Sequence, residues 1–294
     1  MSTKITSKNQ TDTFIRHIGL FGRSAAVFMA VLLTFCGCDM LRFHPNEARF
    51  DGETGLTARH IETVEQWGQG RTSFCFALIS DTQRSYDDTA DAVSWINRHP
   101  EIGFVMHAGD LTDFGLADEY EWMRRELQRL NCPWITAIGN HDMKSNGKEI
   151  YRAIFGPLNS SFTVGNTRFV VLNTVGSDND GEDAAPDFSY ISAELAEISR
   201  INRLNPDSIS QSVVMMHVRP FDGLFNNSKT NDFHAFLTSL PNLLFCMNGH
   251  DHHLQSLDIY DDGTLFHEVP NIHKRQLMVF TISPGSYAYE CIDF

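Results

Sequence analysis

The chain has 294 residues, of which 42% are hydrophobic, and it contains 22 phenylalanines. This is enough apolar material to bury one large core, and the length permits one domain or two. The formal net charge of −14 argues against broad binding to the phosphate backbone of nucleic acid, but it does not exclude a small phosphorylated ligand held by metal.

The first 37 residues resemble a bacterial lipoprotein signal peptide. Four basic residues precede an apolar run, AAVFMAVLLTF, which is too short to span a bilayer comfortably. Gly37 precedes Cys38 as in such signals, whereas Phe35 and Cys36 replace the usual small or aliphatic residues. We expect residues 1–37 to be removed and Cys38 to be lipidated, with an uncleaved anchor or ordinary secretion as alternatives. The mature protein would then be anchored to a membrane of the bacterial cell envelope, on the periplasmic or outer-membrane side.

The remaining chain divides into a short lead-in and one main domain. Residues 38–71 are polar and predict an irregular linker, and residues 72–294 predict the domain. Four widely spaced cysteines remain, with no CxxC pair among them. Cys75 and Cys246 lie inside apolar runs, so we expect them to be buried and reduced, although an exported protein can form disulfides.

Short apolar runs that end in polar residues recur along the domain. The runs SFCFALIS, IGFVMHAG, CPWITAIG, SVVMM and NLLFCMNG predict strands buried on both faces. Helical periodicity lies between several of them, and in ADEYEWMRRELQRL it places Trp122, Leu127 and Leu130 near one face. This alternation predicts a largely parallel α/β core. Further helices are predicted at 147–155, 191–202 and 231–239.

The later part of the chain has a different pattern. SSFTVGNTRFVVLNTV predicts a hairpin around Gly165 and Asn166, and LQSLDIYDDGTLFHEV predicts another around Asp262 and Gly263. With QLMVFTIS and YAYECIDF following, the C-terminal third predicts antiparallel sheet. Together these patterns indicate two sheets with helices outside them.

Polar residues follow the predicted strands at the edge where ligands bind in open α/β sheets. Each of them alone has an ordinary structural explanation, since a carboxylate after a strand is commonly a cap or turn residue and a lone histidine in a strand is commonly a packing residue. Their joint occurrence predicts a metal site. The residues are Asp81, Asp110, Asn140, His141, His217, His250 and His252.

The motifs GDLTD, GNHD, an isolated His217 and GHDH occur in this order. Over residues 72 to 282 the chain thereby resembles the calcineurin-like metallophosphoesterases. The resemblance implies an α/β fold, a four-layer αββα sandwich of two mixed β-sheets flanked by helices. This agrees with the element pattern above.

The resemblance also implies a binuclear centre of two divalent ions, with manganese, iron, zinc or nickel all compatible with the ligand types. The activity it implies is hydrolysis of a phosphomonoester or phosphodiester by metal-activated hydroxide attack on phosphorus. Its partner would be a small phosphorylated substrate, and no protein partner is indicated. In the implied site the first ion is held by Asp81 and His252, and the second by Asn140, His217 and His250. Asp110 bridges both ions. His141 is not a ligand but acts as general acid or charge stabiliser, and Asp142 orients it.

One residue departs from the family pattern. The first motif is usually Asp-x-His, whereas this chain has DTQ, with Gln83 in the second ligand position. Gln83 could ligate directly, hold a metal-bound water, or leave the first site weak, and we expect that site to prefer a harder ion such as manganese or magnesium. The alternative function is a metal-binding or ligand-binding envelope lipoprotein with the same fold and little or no catalysis.

Smaller expectations concern residues outside the motifs. Arg219 is predicted to contact a substrate phosphate or to form a structural ion pair. The acidic loop GSDNDGEDAAPDFSY lacks the ligand spacing of an EF-hand and predicts a solvated loop beside the cleft. His267, His273, Lys274 and Arg275 have no motif around them and are expected at the surface.

Overall fold

The computed structural model describes residues 52–176 and 185–294. The predicted signal peptide, Cys38, the first part of the lead-in and residues 177–184 of the acidic loop lie outside the described residues. Within the described ranges, no helix has both the length and the apolar character that crossing a bilayer requires.

The described residues form eleven strands and six helices. The strands, in chain order, are β1 (Phe74–Ile79), β2 (Ile102–His107), β3 (Trp134–Thr136), β4 (Ser160–Val164), β5 (Thr167–Leu172), β6 (Gln211–Met216), β7 (Leu243–Asn248), β8 (Gln255–Leu257), β9 (Phe266–Glu268), β10 (Gln276–Ser283) and β11 (Ser286–Asp293). The helices are α1 (Leu56–Gly68), α2 (Tyr86–Asn97), α3 (Ala117–Leu127), α4 (Gly147–Ile154), α5 (Phe188–Leu204) and α6 (Thr230–Ser239).

Two mixed sheets make up the centre of the fold. The first has the strand order β11-β10-β1-β2-β3, with β1, β2 and β3 parallel and β10 and β11 added as an antiparallel hairpin. The second has the order β4-β5-β6-β7-β9-β8, with β5, β6, β7 and β9 parallel. The predicted hairpins β4-β5 and β8-β9 and the antiparallel pair β10-β11 are confirmed, but β9 also pairs in parallel with β7, so the C-terminal third is not purely antiparallel.

The sheets stack face to face through a layer rich in phenylalanine. Phe76 stacks on Phe104 and Phe280 with ring centroids 5.1 Å and 5.2 Å apart, and Phe245 lies 4.7 Å from Phe280. Helices α2, α3 and α4 cover the outer face of the first sheet, and α5 and α6 cover that of the second. The predicted four-layer αββα sandwich is confirmed. Burial of these rings is a large hydrophobic contribution to stability.

Helix α1 replaces part of the irregular segment that the sequence predicted between 38 and 71. It packs across the edge strands of both sheets, with Val64 buried in the inter-sheet layer. His60 Nδ1 lies 2.6 Å from the Trp134 carbonyl in the first sheet, and Thr163 N donates to Glu65 in the second. The helical spacing of Ile61, Val64 and Trp67, which pack on this layer, indicates a helix, so the prediction of an irregular segment is wrong here.

The face of α3 that packs on the sheet also differs from expectation. Tyr120, Met123 and Leu127 are buried, whereas Trp122 is 48% exposed. The buried positions follow the helical spacing of three and four residues, which Trp122 does not share. All four cysteines of the described chain are free, and Cys246 is buried as expected, whereas Cys75 is only partly buried.

His267 lies in β9 and is fully buried, so its predicted place at the surface is wrong. Its Nδ1 lies 2.7 Å from Ser256 Oγ and its Nε2 2.9 Å from the Tyr287 hydroxyl, among aromatic rings. Burial in this setting lowers the pKa of His267 to about 4.

This buried histidine predicts a pH dependence of stability. The unfolded chain takes up the proton near its ordinary pKa of 6.5, whereas the folded chain resists it down to about 4. The contribution of neutral His267 to the stability of the folded chain is therefore complete above pH 6.5 and is lost as the pH falls towards 4. The free energy of unfolding of the unsubstituted chain should therefore fall between pH 7 and pH 5. In His267→Gln we expect this fall to be smaller by roughly 2 kcal/mol.

Urea denaturation at the two pH values measures this difference. His273→Gln is the control, because His273 is exposed and its ion pair with Asp88 lies at the surface. An equal fall in stability for the unsubstituted chain and His267→Gln would contradict the assignment.

Candidate metal centre

The candidate ligands follow the carboxyl ends of parallel strands in both sheets. Asp81, Asp110 and Asn140 follow β1, β2 and β3, and His217 and His250 follow β6 and β7. Loops that leave parallel strands emerge at the same edge of a sheet. Because the sheets stack face to face, the two sets of loops meet, and residues far apart in sequence become neighbours.

The centre of the group is Asp81, Asp110 and His217. One donor atom from each lies within 4.8 Å of the others, and all three residues are buried. Asp110 Oδ2 lies 3.3 Å from His217 Nε2, and Asn140 Oδ1 lies 3.0 Å from the same nitrogen. His217 Nδ1 lies 2.7 Å from the Ala108 carbonyl, which fixes the proton on Nδ1 and leaves Nε2 facing the carboxylates.

The GHDH segment closes over this group. His252 Nε2 lies 3.0 Å from Asp81 Oδ1, and the backbone N–H of His250 donates to Asp81 Oδ2 at 3.2 Å. The rings of His250 and His217 have centroids 5.2 Å apart. Six of the seven predicted metal ligands are thus brought together by these contacts.

Four of the candidate ligands have a strained backbone. Asp81, Asp110, His250 and His252 have φ angles of 53°, 58°, 80° and 60°, in the left-handed region that non-glycine residues rarely adopt. Such conformations cost of order 1–3 kcal/mol each and persist where the surrounding structure requires them. At these four residues the strained backbone directs the side chains of candidate ligands towards the same site.

The seventh predicted ligand, Gln83, fits a cation. Its Oε1 is buried and accepts no hydrogen bond within the described chain, so an ion or a water is needed to satisfy it. Two glycines leave room for the carboxylates, since a Cβ on Gly139 would lie 2.1 Å from Asp110 Oδ1 and one on Gly249 would lie 2.6 Å from Asp81 Oδ2. Carboxylate, imidazole and amide donors together suit divalent ions.

The electrostatic potential of the site is negative. Burial disfavours a charged imidazole, yet the charge and hydrogen bond of Asp110 outweigh burial and raise the pKa of His217 to about 10. Burial alone would raise the pKa of Asp110, but the charge and hydrogen bond of His217, together with the hydrogen bond from the His141 backbone and the charge of His141, hold that pKa below its ordinary value. A potential that attracts a proton this strongly also attracts a metal cation.

His141 lies at the rim of the group, and its orientation does not come from Asp142 as predicted. The carboxylate of Asp142 is turned away and accepts hydrogen bonds from the backbone N–H groups of Leu111, Thr112 and Gly139. Burial and the charge of Asp110 raise the pKa of Asp142 to about 7. Asp142 therefore holds the two ligand loops together.

Asp113 and Lys144 contact His141 instead. His141 Nδ1 lies 2.9 Å from the Asp113 carbonyl and 2.8 Å from Lys144 Nζ. The carbonyl requires a proton on Nδ1, whereas the ammonium requires a bare nitrogen, so the tautomer of His141 depends on which contact forms. Neither of these contacts of His141 was predicted from the sequence. The sequence features that could have indicated them are the positions of the two residues, because Asp113 ends the GDLTD motif and Lys144 lies two residues after the GNHD motif.

Several other neighbours of the site, Arg219, Asp222 and Asn271, come from segments without a motif. His250 Nε2 lies 3.4 Å from Asp222 Oδ1, and the two residues form a second group of possible ligands with Asp251. Arg219 donates to Asp251 at 2.9 Å, so of its two predicted roles the ion pair is the one observed. Asn271 Nδ2 lies 3.3 Å from His252 Nδ1.

Two curated relatives share short stretches with the chain. A probable cyclic nucleotide phosphodiesterase of Rhodopseudomonas palustris is 43% identical over 54 residues, which cover 18% of this chain and 20% of the relative. A probable cyclic nucleotide phosphodiesterase of Xenorhabdus bovienii is 26% identical over 66 residues, which cover 22% of this chain and 27% of the relative. The chain thus matches about a quarter or less of the length of either protein.

The fold is similar to that of a dimetal phosphatase from Danio rerio. The TM-score is 0.56, the sequence identity is 15%, and the match covers 71% of this chain and 93% of that one. This similarity shows the fold alone. The family model for calcineurin-like phosphoesterases matches residues 75–260, which is more than half of the chain and includes all the strand-end residues described above. The chain therefore belongs to the calcineurin-like phosphoesterase family.

Proposed function

We propose that this protein is a binuclear metal-dependent phosphoesterase. The observation that carries the proposal is the buried group of Asp81, Asp110 and His217, whose donor atoms lie within 4.8 Å of one another beside His141. Strained backbone and an unsatisfied amide oxygen surround the same group. A ligand-binding protein of this fold has no evident need for a histidine at that rim.

The chain supplies ligands for two ions that share one carboxylate. Asp81, Gln83 and His252 would hold the first, Asn140, His217 and His250 the second, and Asp110 both. Divalent ions bound there would supply positive charge for the phosphoryl oxygens and a water of lowered pKa.

His141 and Lys144 are the chain's own groups for the reacting phosphate. The side chain of His141 is 29% exposed, so a substrate can reach it, and its contact with the Asp113 carbonyl holds the ring in place. In this position it can hold a proton or positive charge at the leaving oxygen. The ammonium of Lys144 adds positive charge beside it.

A panel of phosphoesters with defined metal reconstitution tests the proposal. The names of the two curated relatives support a phosphodiester as the first substrate class, with phosphomonoesters as the second. We expect manganese-dependent hydrolysis of bis(4-nitrophenyl) phosphate or 4-nitrophenyl phosphate. A protein that takes up metal and hydrolyses neither these nor nucleotide or sugar phosphates would favour the alternative of a binding protein without catalysis.

Gln83 gives a separate prediction about metal preference. A neutral amide oxygen is a poorer ligand for later transition metals than imidazole, so the first site is expected to prefer manganese or magnesium. Gln83→His should raise zinc affinity at this site by roughly tenfold or more. Chelation, reconstitution and elemental analysis with a competing chelator measure the change.

Gln128→His is the matched control, because Gln128 is exposed at the end of α3 and its substitution adds a histidine away from the site. Equally tight zinc at both sites of the unsubstituted protein would contradict the proposed preference.

We further propose that the protein is an envelope lipoprotein attached through Cys38. The support is the sequence of residues 1–38, with its basic stretch, short apolar run and Gly-Cys pair. Labelling with a clickable fatty acid should mark the mature protein and not a Cys38→Ser variant. An unlabelled mature protein would rule the anchor out.

A further inference from the structure

An exposed aromatic ring lies at the rim of the candidate metal centre. Phe114 follows Asp113, whose carbonyl contacts His141, and 49% of Phe114 is exposed. Single exposed apolar residues are ordinary on protein surfaces. Phe114 differs from such residues in its position, because Lys144 contacts both its ring and the imidazole of His141.

The loop that carries Phe114 is held in place. The backbone N–H of Phe114 donates to Glu119 at 2.9 Å, and that of Gly115 donates to Thr112 Oγ1. Gly115 packs so closely on the neighbouring loop that a Cβ there would lie 2.3 Å from the Lys144 carbonyl. The ring is therefore presented to solvent by a fixed backbone, which reduces the entropic cost of binding a ligand against it.

Two cations flank this ring. Arg84 Cζ lies 5.6 Å and Lys144 Nζ 5.7 Å from its centre, both within the range of cation–π contact. Arg84 also pairs with the Asp113 carboxylate, which ties it to the same loop. The rim thus combines a flat apolar surface with positive charge next to the place where a phosphate would bind.

We propose that Phe114, with Arg84 and Lys144 beside it, is the subsite for the base of a nucleoside phosphate. The inference rests on the proposed function and names its substrate class. A nucleotide carries both features that this rim recognises, a planar ring for Phe114 and an anionic phosphate for the metal centre and Lys144. Sugar and glycerol phosphates offer only the second.

Adenosine 5′-monophosphate and ribose 5-phosphate form a matched pair of probes, since they differ in the base. Isothermal titration of the manganese-loaded protein is expected to show roughly 10- to 100-fold tighter binding of the nucleotide, the range for one base stacked on an aromatic side chain. Phe114→Ala should abolish this preference and leave the affinity for ribose 5-phosphate unchanged. Phe114→Trp, which keeps a flat ring, should retain it.

Leu204→Ala is the control for loss of exposed apolar surface, because Leu204 is 68% exposed at the end of α5 and far from the strand ends that carry the site. Equal affinity for the two probes, no measurable nucleotide binding, or a preference that survives Phe114→Ala would each overturn the inference. Phosphoester hydrolysis by the same preparation separates the two proposals. Hydrolysis without a nucleotide preference defeats only the subsite, and a nucleotide preference without hydrolysis defeats only the enzyme.

Discussion

Asp110→Asn is expected to lower kcat/KM for phosphoester hydrolysis by at least roughly 1000-fold, because it removes the charge shared by both proposed ion sites. The substitution keeps the size of the side chain, so the effect reports charge. Asp110 Oδ2 lies 3.3 Å from His217 and Oδ1 accepts the backbone N–H of His141. A neutral amide would weaken the contacts with His217 and with the His141 backbone. The metal content of the purified protein should therefore fall together with its activity.

Elemental analysis after desalting and hydrolysis of bis(4-nitrophenyl) phosphate measure the two effects. Asp91→Asn removes one carboxylate from an exposed position on α2, where it pairs with Arg275, and should change neither. If Asp110→Asn retained two ions per chain and near-normal turnover, the proposed sharing of one carboxylate would be wrong.

The closeness of the candidate ligands could be predicted from the sequence because one simple rule places them. Strands buried on both faces can be recognised in the sequence as continuous apolar runs, and the residue after each run lies at the ligand-binding edge of the sheet. Asp81, Asp110 and His217 could be placed in this way without knowing which strands are neighbours. The left-handed φ angles of Asp81 and Asp110 could not be predicted, because most aspartates adopt other backbone conformations even though aspartate is enriched in the left-handed region.

The errors arose where long-range packing determines the outcome. Helix α1 carries a stripe of Ile61, Val64 and Trp67, but the edges of the two sheets that it packs against come from segments far away in sequence. Asp142 follows His141 directly in sequence, but the turn directs its carboxylate to the backbone of the Asp110 loop. Asp113 then takes the predicted role through its carbonyl, an atom that carries no sequence signal.

His141→Ala is expected to lower kcat by about 10²- to 10⁴-fold and to leave the metal content unchanged. The imidazole contacts Asp113 and Lys144 at the rim, whereas the contact of residue 141 with Asp110 Oδ1 is made by the backbone N–H and survives the substitution. Loss of turnover with a full metal load therefore distinguishes His141 from a ligand such as His217. Asp113→Asn, which keeps the carbonyl, should cost less than His141→Ala.

The leaving group separates the two roles that His141 could have. A 4-nitrophenolate leaves readily without a proton, whereas an alkoxide of high pKa needs one. If His141 is a general acid, the loss caused by His141→Ala will be much larger for an alkyl phosphodiester than for bis(4-nitrophenyl) phosphate. If it stabilises charge on the phosphoryl oxygens, the two substrates will lose activity about equally. Full activity of His141→Ala on both substrates would remove His141 from the reaction.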